Sequence, residues 1–376
     1  MTPGMGKGDN MRKVRLGVIG AGYIGKTHIN NILSGCCPEI EVTAVADAMD
    51  GNLKWAKEKI GSSVAVFKNE DEFFDSGCMD AVLVAVPHYD HPRLAIEAFR
   101  RGLHVMIEKP AGVYTKQVRE MNEASKKAGV KFGIMYNQRT DKVFRRMREI
   151  VKSGSFGQIR RTNWIATEWY RPQAYYNSAA WRGTWKGEGG GVLLNQCPHN
   201  LDIWQWICGM PVLVEAHMKF GKWHDIEVED DVTAYVEFEN GATGVFVTST
   251  GDTPGTNRFE ITLDKGKLVA ENGVLTIWEN EVCEQEFSRT NTEHFGKPKC
   301  TTQEVRSDGA LGHAEVLNAF AGAILRGEPL IAEGVEGING LTLSNAMYLS
   351  AWLKKEVSIP FDEELFYSLL LKASDK

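Results

Sequence analysis

No apolar run in this chain approaches the roughly 18 residues that a membrane-crossing helix needs, so no segment is expected to span a bilayer. Cysteine is sparse, with 7 in 376 residues, an odd number at scattered positions. That excludes a closed disulfide framework and points to a reducing cytoplasm. Cys36 and Cys37 are adjacent and poorly placed to pair with each other. Neither sign of charge dominates. Lys+Arg total 43 against Asp+Glu 49, a net charge of −6 without a basic block. Such a chain is not built to hold nucleic acid. Low-complexity sequence is also missing, because the 38 glycines form no repeat and no collagen period. Met1–Asn10 lack the charged-then-apolar form of a secretory signal and read as a loose leader, with Met11 a candidate natural start.

What is present is ordinary globular material, 43% hydrophobic and 24% charged, long enough for two domains. From residue 11 to 136 short apolar runs alternate with helical patterns. Val14–Ile19, Val42–Ala46, Ala81–Val86, His104–Ile107 and Lys131–Met135 read as strands. Helices are expected from about Ile24, Leu53, Pro92 and Thr115. The alternation implies right-handed crossovers and a parallel sheet. Beyond residue 136 the rhythm changes. Arg160–Glu168, Val232–Phe238, Thr243–Ser249, Phe259–Leu263, Lys267–Ala270 and Val274–Trp278 read as strands, with Asn240-Gly241 a hairpin turn. His313–Arg326 and Leu341–Trp352 read as helices. The expected architecture is an α/β domain over residues 11–136 and an α+β domain with a largely antiparallel sheet over 137–376.

Gly20-Ala21-Gly22-Tyr23-Ile24-Gly25 directly follows a strand and opens a helix, the context in which G-x-G-x-x-G binds a dinucleotide. Gly20 permits the tight turn, Gly22 the close approach of a pyrophosphate, and Gly25 the packing of helix on sheet. Tyr23 and Ile24 stand at the helix N-terminus, whose N–H groups suit phosphate. Asp47 ends the second strand, where a carboxylate accepts from a ribose diol and repels a 2′-phosphate. No Lys or Arg follows before Lys54, so NAD is favoured over NADP. The alternative for Asp47 is a helix cap. Pro87 and His88, with His91, follow the end of another strand and lie on the cofactor side, unless the histidines serve as local caps.

Glu108-Lys109-Pro110 follows strand His104–Ile107, which aims Lys109 at the same crevice. A lysine among apolar neighbours has a lowered pKa and shuttles protons; a plain solvated lysine is the alternative. Three glycines, Gly189–Gly191, precede a stretch in which Asn195, His199 and Asp202 share a helical face. Pro198 suits a first helical turn, which leaves Asn195 in the approach. His199 is a candidate acid/base, or a hydrogen-bonded structural histidine. Cys197, His199 and Cys208 fit no zinc spacing, so no metal is expected. Trp169, Tyr175, Trp181 and Arg182 belong to an aromatic and polar stretch suited either to sugar recognition or to a core cluster.

In this order the motifs resemble the glucose–fructose oxidoreductase / inositol dehydrogenase / MocA family, over about Val14 to Phe361. The resemblance implies a Rossmann domain joined to an open, mainly antiparallel sheet that forms homodimers or homotetramers. It implies oxidation or reduction of a sugar, inositol or related polyol with NAD or NADP. Lys109 would contact the reacting hydroxyl and His199 would be the acid/base, with Asp202 orienting it. Glu108 and Gln138 would lie by the cofactor, and Tyr136 and Arg139 near the substrate. A cis Lys109–Pro110 bond is implied as well. Asn195 stands where the family often has Asp; it bonds a hydroxyl but takes no proton. Two other classes stay open, a glycosidase-type enzyme that retains its NAD and a sensor without turnover.

Overall fold

Apolar runs buried on both faces build the first sheet. The computed structural model describes residues 12–309 and 312–375; the expected leader lies outside them. Strands β1 (Val14–Ile19), β2 (Ile40–Ala46), β3 (Ala65–Phe67), β4 (Ala81–Val84), β5 (His104–Ile107) and β6 (Phe132–Ile134) form a six-stranded sheet ordered β3-β2-β1-β4-β5-β6. Each neighbouring pair is parallel. Helices α1 (Tyr23–Leu33), α2 (Asp50–Ile60), α3 (Glu70–Asp75), α4 (Asp90–Arg100) and α5 (Thr115–Ala128) make the crossovers. All four residues of β4 are buried, as a central parallel strand requires. The strand order reverses between β1 and β4, and ligands of such sheets sit at that reversal, beyond the strands' carboxyl ends.

A 3-10 turn, Asn137–Thr140, and α6 (Lys142–Ser153) lead into the second sheet. Its strands are β7 (Ile159–Ala166), β8 (Leu213–Phe220), β9 (Glu229–Glu237), β10 (Thr243–Ser249), β11 (Asn257–Leu263), β12 (Gly266–Glu271), β13 (Val274–Asn280), β14 (Cys300–Arg306) and β15 (Val357–Ser358). They are ordered β14-β13-β12-β11-β7-β10-β9-β8-β15, antiparallel except for the parallel pair β7–β10. Between β7 and β8 the chain folds α7 (Gln173–Tyr176), α8 (Val192–Asn195) and α9 (Pro198–Cys208). The remaining helices are α10 (Glu284–Thr290), α11 (His313–Arg326), α12 (Gly337–Leu353) and α13 (Glu363–Ser374).

The expected division at residue 136 needs one correction. Ala314, Val316, Leu317 and Phe320 of α11 are buried in one cluster with Val14, Leu16 and Ile29, so this late helix belongs to the core of the first sheet. Helix α12 joins the two halves: it packs on α5, α9 and β8, and its Asn345 bonds both Thr115 N–H and Val113 C=O across them. Among the described residues no helix is long and apolar enough to cross a membrane.

Candidate active site

A cleft of about 760 Å³ lies over the carboxyl ends of β1, β2, β4 and β5 and is closed by residues of the second domain. Gly20, Gly22, Tyr23 and Ile24 form one wall. Gly20 has φ +92°, and a Cβ there would meet the Ala85 carbonyl oxygen at 2.4 Å. A Cβ on Gly25 would meet the Gly20 oxygen at 2.0 Å, so that glycine sets how closely α1 seats on its loop. Gly22 differs, since a Cβ there would meet nothing within 4 Å. With no side chain on Gly22, the space stays free for a pyrophosphate. No side chain caps α1 and no acid sits in its first turn, so its N–H groups remain available to phosphate.

Asp47 Oδ2 accepts the Ala21 N–H at 2.7 Å and Oδ1 the Met49 N–H at 2.8 Å, tying the glycine loop to the end of β2. A carboxylate has lone pairs beyond these for a ribose diol. The expectation of no nearby cation holds along the chain but not in space, because Lys68 lines the same cleft. It is neutralised by Asp50, at 2.9 and 3.0 Å. The loop, the open helix end and Asp47 fit a dinucleotide.

Pro87, His88 and His91 also line the cleft. His91 reaches the Pro110 and Val86 carbonyls at 2.7 and 2.8 Å, bracing the loop that carries Lys109. His88 reaches the Glu188 carbonyl at 3.1 Å, and burial, with His91 and Lys109 nearby, pushes its pKa down to about 3.

Lys109 lies at the end of β5, and the Lys109–Pro110 bond is cis. Its Nζ donates to the Asn195 backbone carbonyl at 2.8 Å, linking the two domains at the cleft. Burial lowers the Lys109 pKa against the opposing pull of Glu108 and Glu188. Burial alone would raise Glu108, yet His28, with Lys109 and His313, holds it down at about 2. Its Oε1 lies 2.6 Å from His28 Nε2, and its Oε2 accepts the Lys109 N–H at 3.1 Å. His313, a cleft residue that the sequence offers no motif to find, stacks edge-on against His28 at 5.3 Å.

His199 sits in the first turn of α9. Burial first, then Lys109, pushes its pKa down to about 3, and its Nδ1 is buried without a partner. The ring packs edge-on to Tyr136 at 6.3 Å and is not among the residues lining the cleft. Asp202 does not orient it. Asp202 binds Arg139 through both oxygens, at 2.8 and 2.6 Å, and Arg139 also pairs with Glu336. This corrects the expectation for Arg139 as well: it is 2% exposed and holds the 3-10 turn to α9. Tyr136 is buried beneath that guanidinium, and neither it nor Gln138 lines the cleft. Trp169 is also outside the lining, bonded to Asn200 at 3.1 Å. Cys197 shares a hydrogen bond with Thr248 at 3.1 Å.

Tyr175, Trp181, Arg182 and Asn195 do line the cleft, joined by Arg171. The Asn195 amide donates to Tyr175 Oη at 3.1 Å and to Glu188. Glu229, buried under the glycine run, accepts the Gly191 and Leu193 N–H groups at 2.9 Å each and the Tyr348 hydroxyl at 2.7 Å. It thereby fixes α8, which carries Asn195.

The family model described as an oxidoreductase family with an NAD-binding Rossmann fold matches residues 14–136, and that of the GFO/IDH/MocA C-terminal domain matches residues 144–269. A myo-inositol 2-dehydrogenase of Thermotoga maritima is 28% identical over 69% of this chain and 75% of its own. A D-glucoside 3-dehydrogenase of Escherichia coli is 28% identical over 61% of this chain and 68% of its own. The solved WlbA dehydrogenase of Bordetella pertussis, in complex with NADH and UDP-GlcNAcA, superposes with a TM-score of 0.79 at 26% identity, covering 93% of this chain and 99% of that one.

Proposed function

The chain belongs to the GFO/IDH/MocA oxidoreductase family and carries its NAD-binding Rossmann domain, and from that premise we propose that it transfers hydride between NAD and a hydroxyl carbon of a sugar, inositol or related polyol. The observation that carries this reading is Lys109, a half-buried amine at the mouth of β5 in the cleft that the glycine loop and Asp47 also line. NAD, when bound, supplies the hydride acceptor.

Lys109 as ammonium polarises the reacting oxygen and offsets the charge that develops there. Burial and that cation keep His199 neutral, with an unpartnered ring nitrogen. Because it stands behind the cleft lining, the hydroxyl proton would reach it by way of Lys109, which passes its own proton back and takes the substrate's. Asn195 orients the substrate, and Tyr175 and Trp181, stacked on Arg182, hold that guanidinium at the cleft wall beside it. Asp47 favours NAD over NADP. The outer face of the nine-stranded sheet, where Ile165 is 41% exposed, is the proposed surface for a homodimer or homotetramer. A panel of sugars and inositols, followed by NADH absorbance and by mass of the product, tests this. The expected result is NADH formed together with a ketone or lactone two hydrogens lighter than its substrate. Product formed with no net NADH would favour the NAD-retaining, non-oxidative reading instead.

A further inference from the structure

The second domain contributes two arginines to the cleft wall, Arg171 and Arg182, and among the described residues neither pairs with a carboxylate. Elsewhere the chain matches exposed arginines to acids readily, as in Arg15–Asp80, Arg93–Glu70 and Arg326–Glu39. Arg182 lies between the rings of Tyr175 and Trp181, 4.4 Å from each centroid, so its guanidinium is held in place. One of its terminal nitrogens donates to Tyr175 Oη at 2.6 Å, while its Nε is buried with no acceptor. Arg171 stands 5.2 Å over the same Tyr175 ring and donates only to the neighbouring Tyr170 carbonyl, at 2.9 Å.

Asp47 lies with the glycine loop on the opposite wall, and the other acids about the cleft are engaged elsewhere. Glu108 serves His28, and Glu70 and Asp90 serve Arg93. Glu188, buried behind Asn195, accepts the Gly183 N–H at 2.7 Å and the Asn195 amide. This end of the cleft therefore presents donors, two guanidinium groups and a phenol from the second domain with Lys109 from the first, and few acceptors. A neutral polyol has hydroxyl protons to place as well as lone pairs, and would leave such a wall half-used. A carboxylate or phosphate consists of acceptors and matches a guanidinium fork.

We propose that the substrate carries an anionic group, a carboxylate or a phosphate on its sugar frame, held by Arg171 and Arg182. This rests on the hydride-transfer reading and names the substrate class for it.

The test is calorimetric titration of the full chain loaded with NADH, using D-glucose, D-glucuronate and D-glucose 1-phosphate, repeated for their galactose counterparts. The carboxylate and phosphate arms separate the two sources of charge. At least one anion is expected to bind about tenfold or more tightly than its neutral parent, a difference of about one decade in Kd. Arg171→Gln and Arg182→Gln should each collapse that preference, and Arg182→Lys should recover only part of it, since it restores charge without the fork. Thermal unfolding and NADH titration establish that the variants fold. Equal binding of neutral and anionic partners, no binding of any anion, or a preference that survives both Gln variants would overturn the inference. The two readings fail separately. Oxidation of neutral sugars with no gain from the acids leaves hydride transfer standing, whereas tight anion binding without NADH formation leaves the anion site standing.

Discussion

Lys109 and His199 both serve the proposed proton transfer, and the place of each sets what its removal does. Lys109 lines the cleft and reaches across to Asn195, whereas His199 lies behind the wall. Acid–base groups of this kind contribute about 10²–10⁴-fold. Lys109→Ala should fall toward the upper end of that range in kcat and His199→Ala toward the lower, with NAD affinity nearly constant in both. Asn195→Ala should act mainly on KM, because the Lys109 amine is held by the backbone carbonyl that the variant keeps. Steady-state kinetics with NAD titration decide this; an unchanged kcat in Lys109→Ala would remove it from the chemistry. His88 provides a pH test of the same enclosure. Its pKa falls from 6.5 to about 3 on folding, so the native ring stays neutral while the unfolded chain takes up a proton. Its contribution to stability is complete above about 6.5 and is lost as pH falls toward 3. One such group costs about 1.4 kcal/mol per pH unit within that window. His199 is shifted in the same way, so unfolding measured between neutral and mildly acidic pH should lose stability at least that steeply, and His88→Asn should remove about 1.4 kcal/mol per pH unit of the slope.

Short elements with local causes were legible in the sequence, and elements defined by distant partners were not. The glycine turn, β5 with its Glu-Lys-Pro end, and the proline-started α9 follow from neighbours in the chain. Helix α11 reads as a helix from its own pattern, but nothing local says that Phe320 returns to the first sheet. Strand β8 was missed although Val214, Ala216 and Met218 alternate with exposed Glu215, His217 and Lys219, a readable signal. Strand β14 is almost wholly exposed and polar, so it carries no such signal. Asp202 and His199 share a helix, which made them look like partners; Arg139, sixty-three residues away, takes the carboxylate instead. Glu229 is another acid whose meaning depends on contact. Burial raises its pKa to about 7 in spite of three donors, two N–H groups and a hydroxyl. Glu229→Ala would leave those donors buried and unpaired, at about 1–3 kcal/mol each. The expected outcome is a marked fall in Tm together with a raised KM as α8 loosens; a variant as stable as the parent would deny Glu229 this role.

At the scale of the molecule, the cleft exists only because both domains supply its walls, with the dinucleotide motifs on one side and Asn195, Arg171 and Arg182 on the other. Cofactor choice belongs to the first wall. Asp47 should give a higher kcat/KM with NAD than with NADP, and Asp47→Ser combined with Ala48→Arg should shift that preference toward NADP. The paired Lys68–Asp50 cation leaves little free positive charge for a 2′-phosphate in the parent. Hydride transfer requires both walls. It is tested most directly by label: the best substrate of the panel, deuterated at its reacting carbon, is turned over with NAD and the cofactor is weighed by mass spectrometry. The account predicts one deuterium in the NADH for each product formed, with the yield lost in Lys109→Ala. Product that accumulates while the cofactor stays unlabelled and oxidised would contradict it.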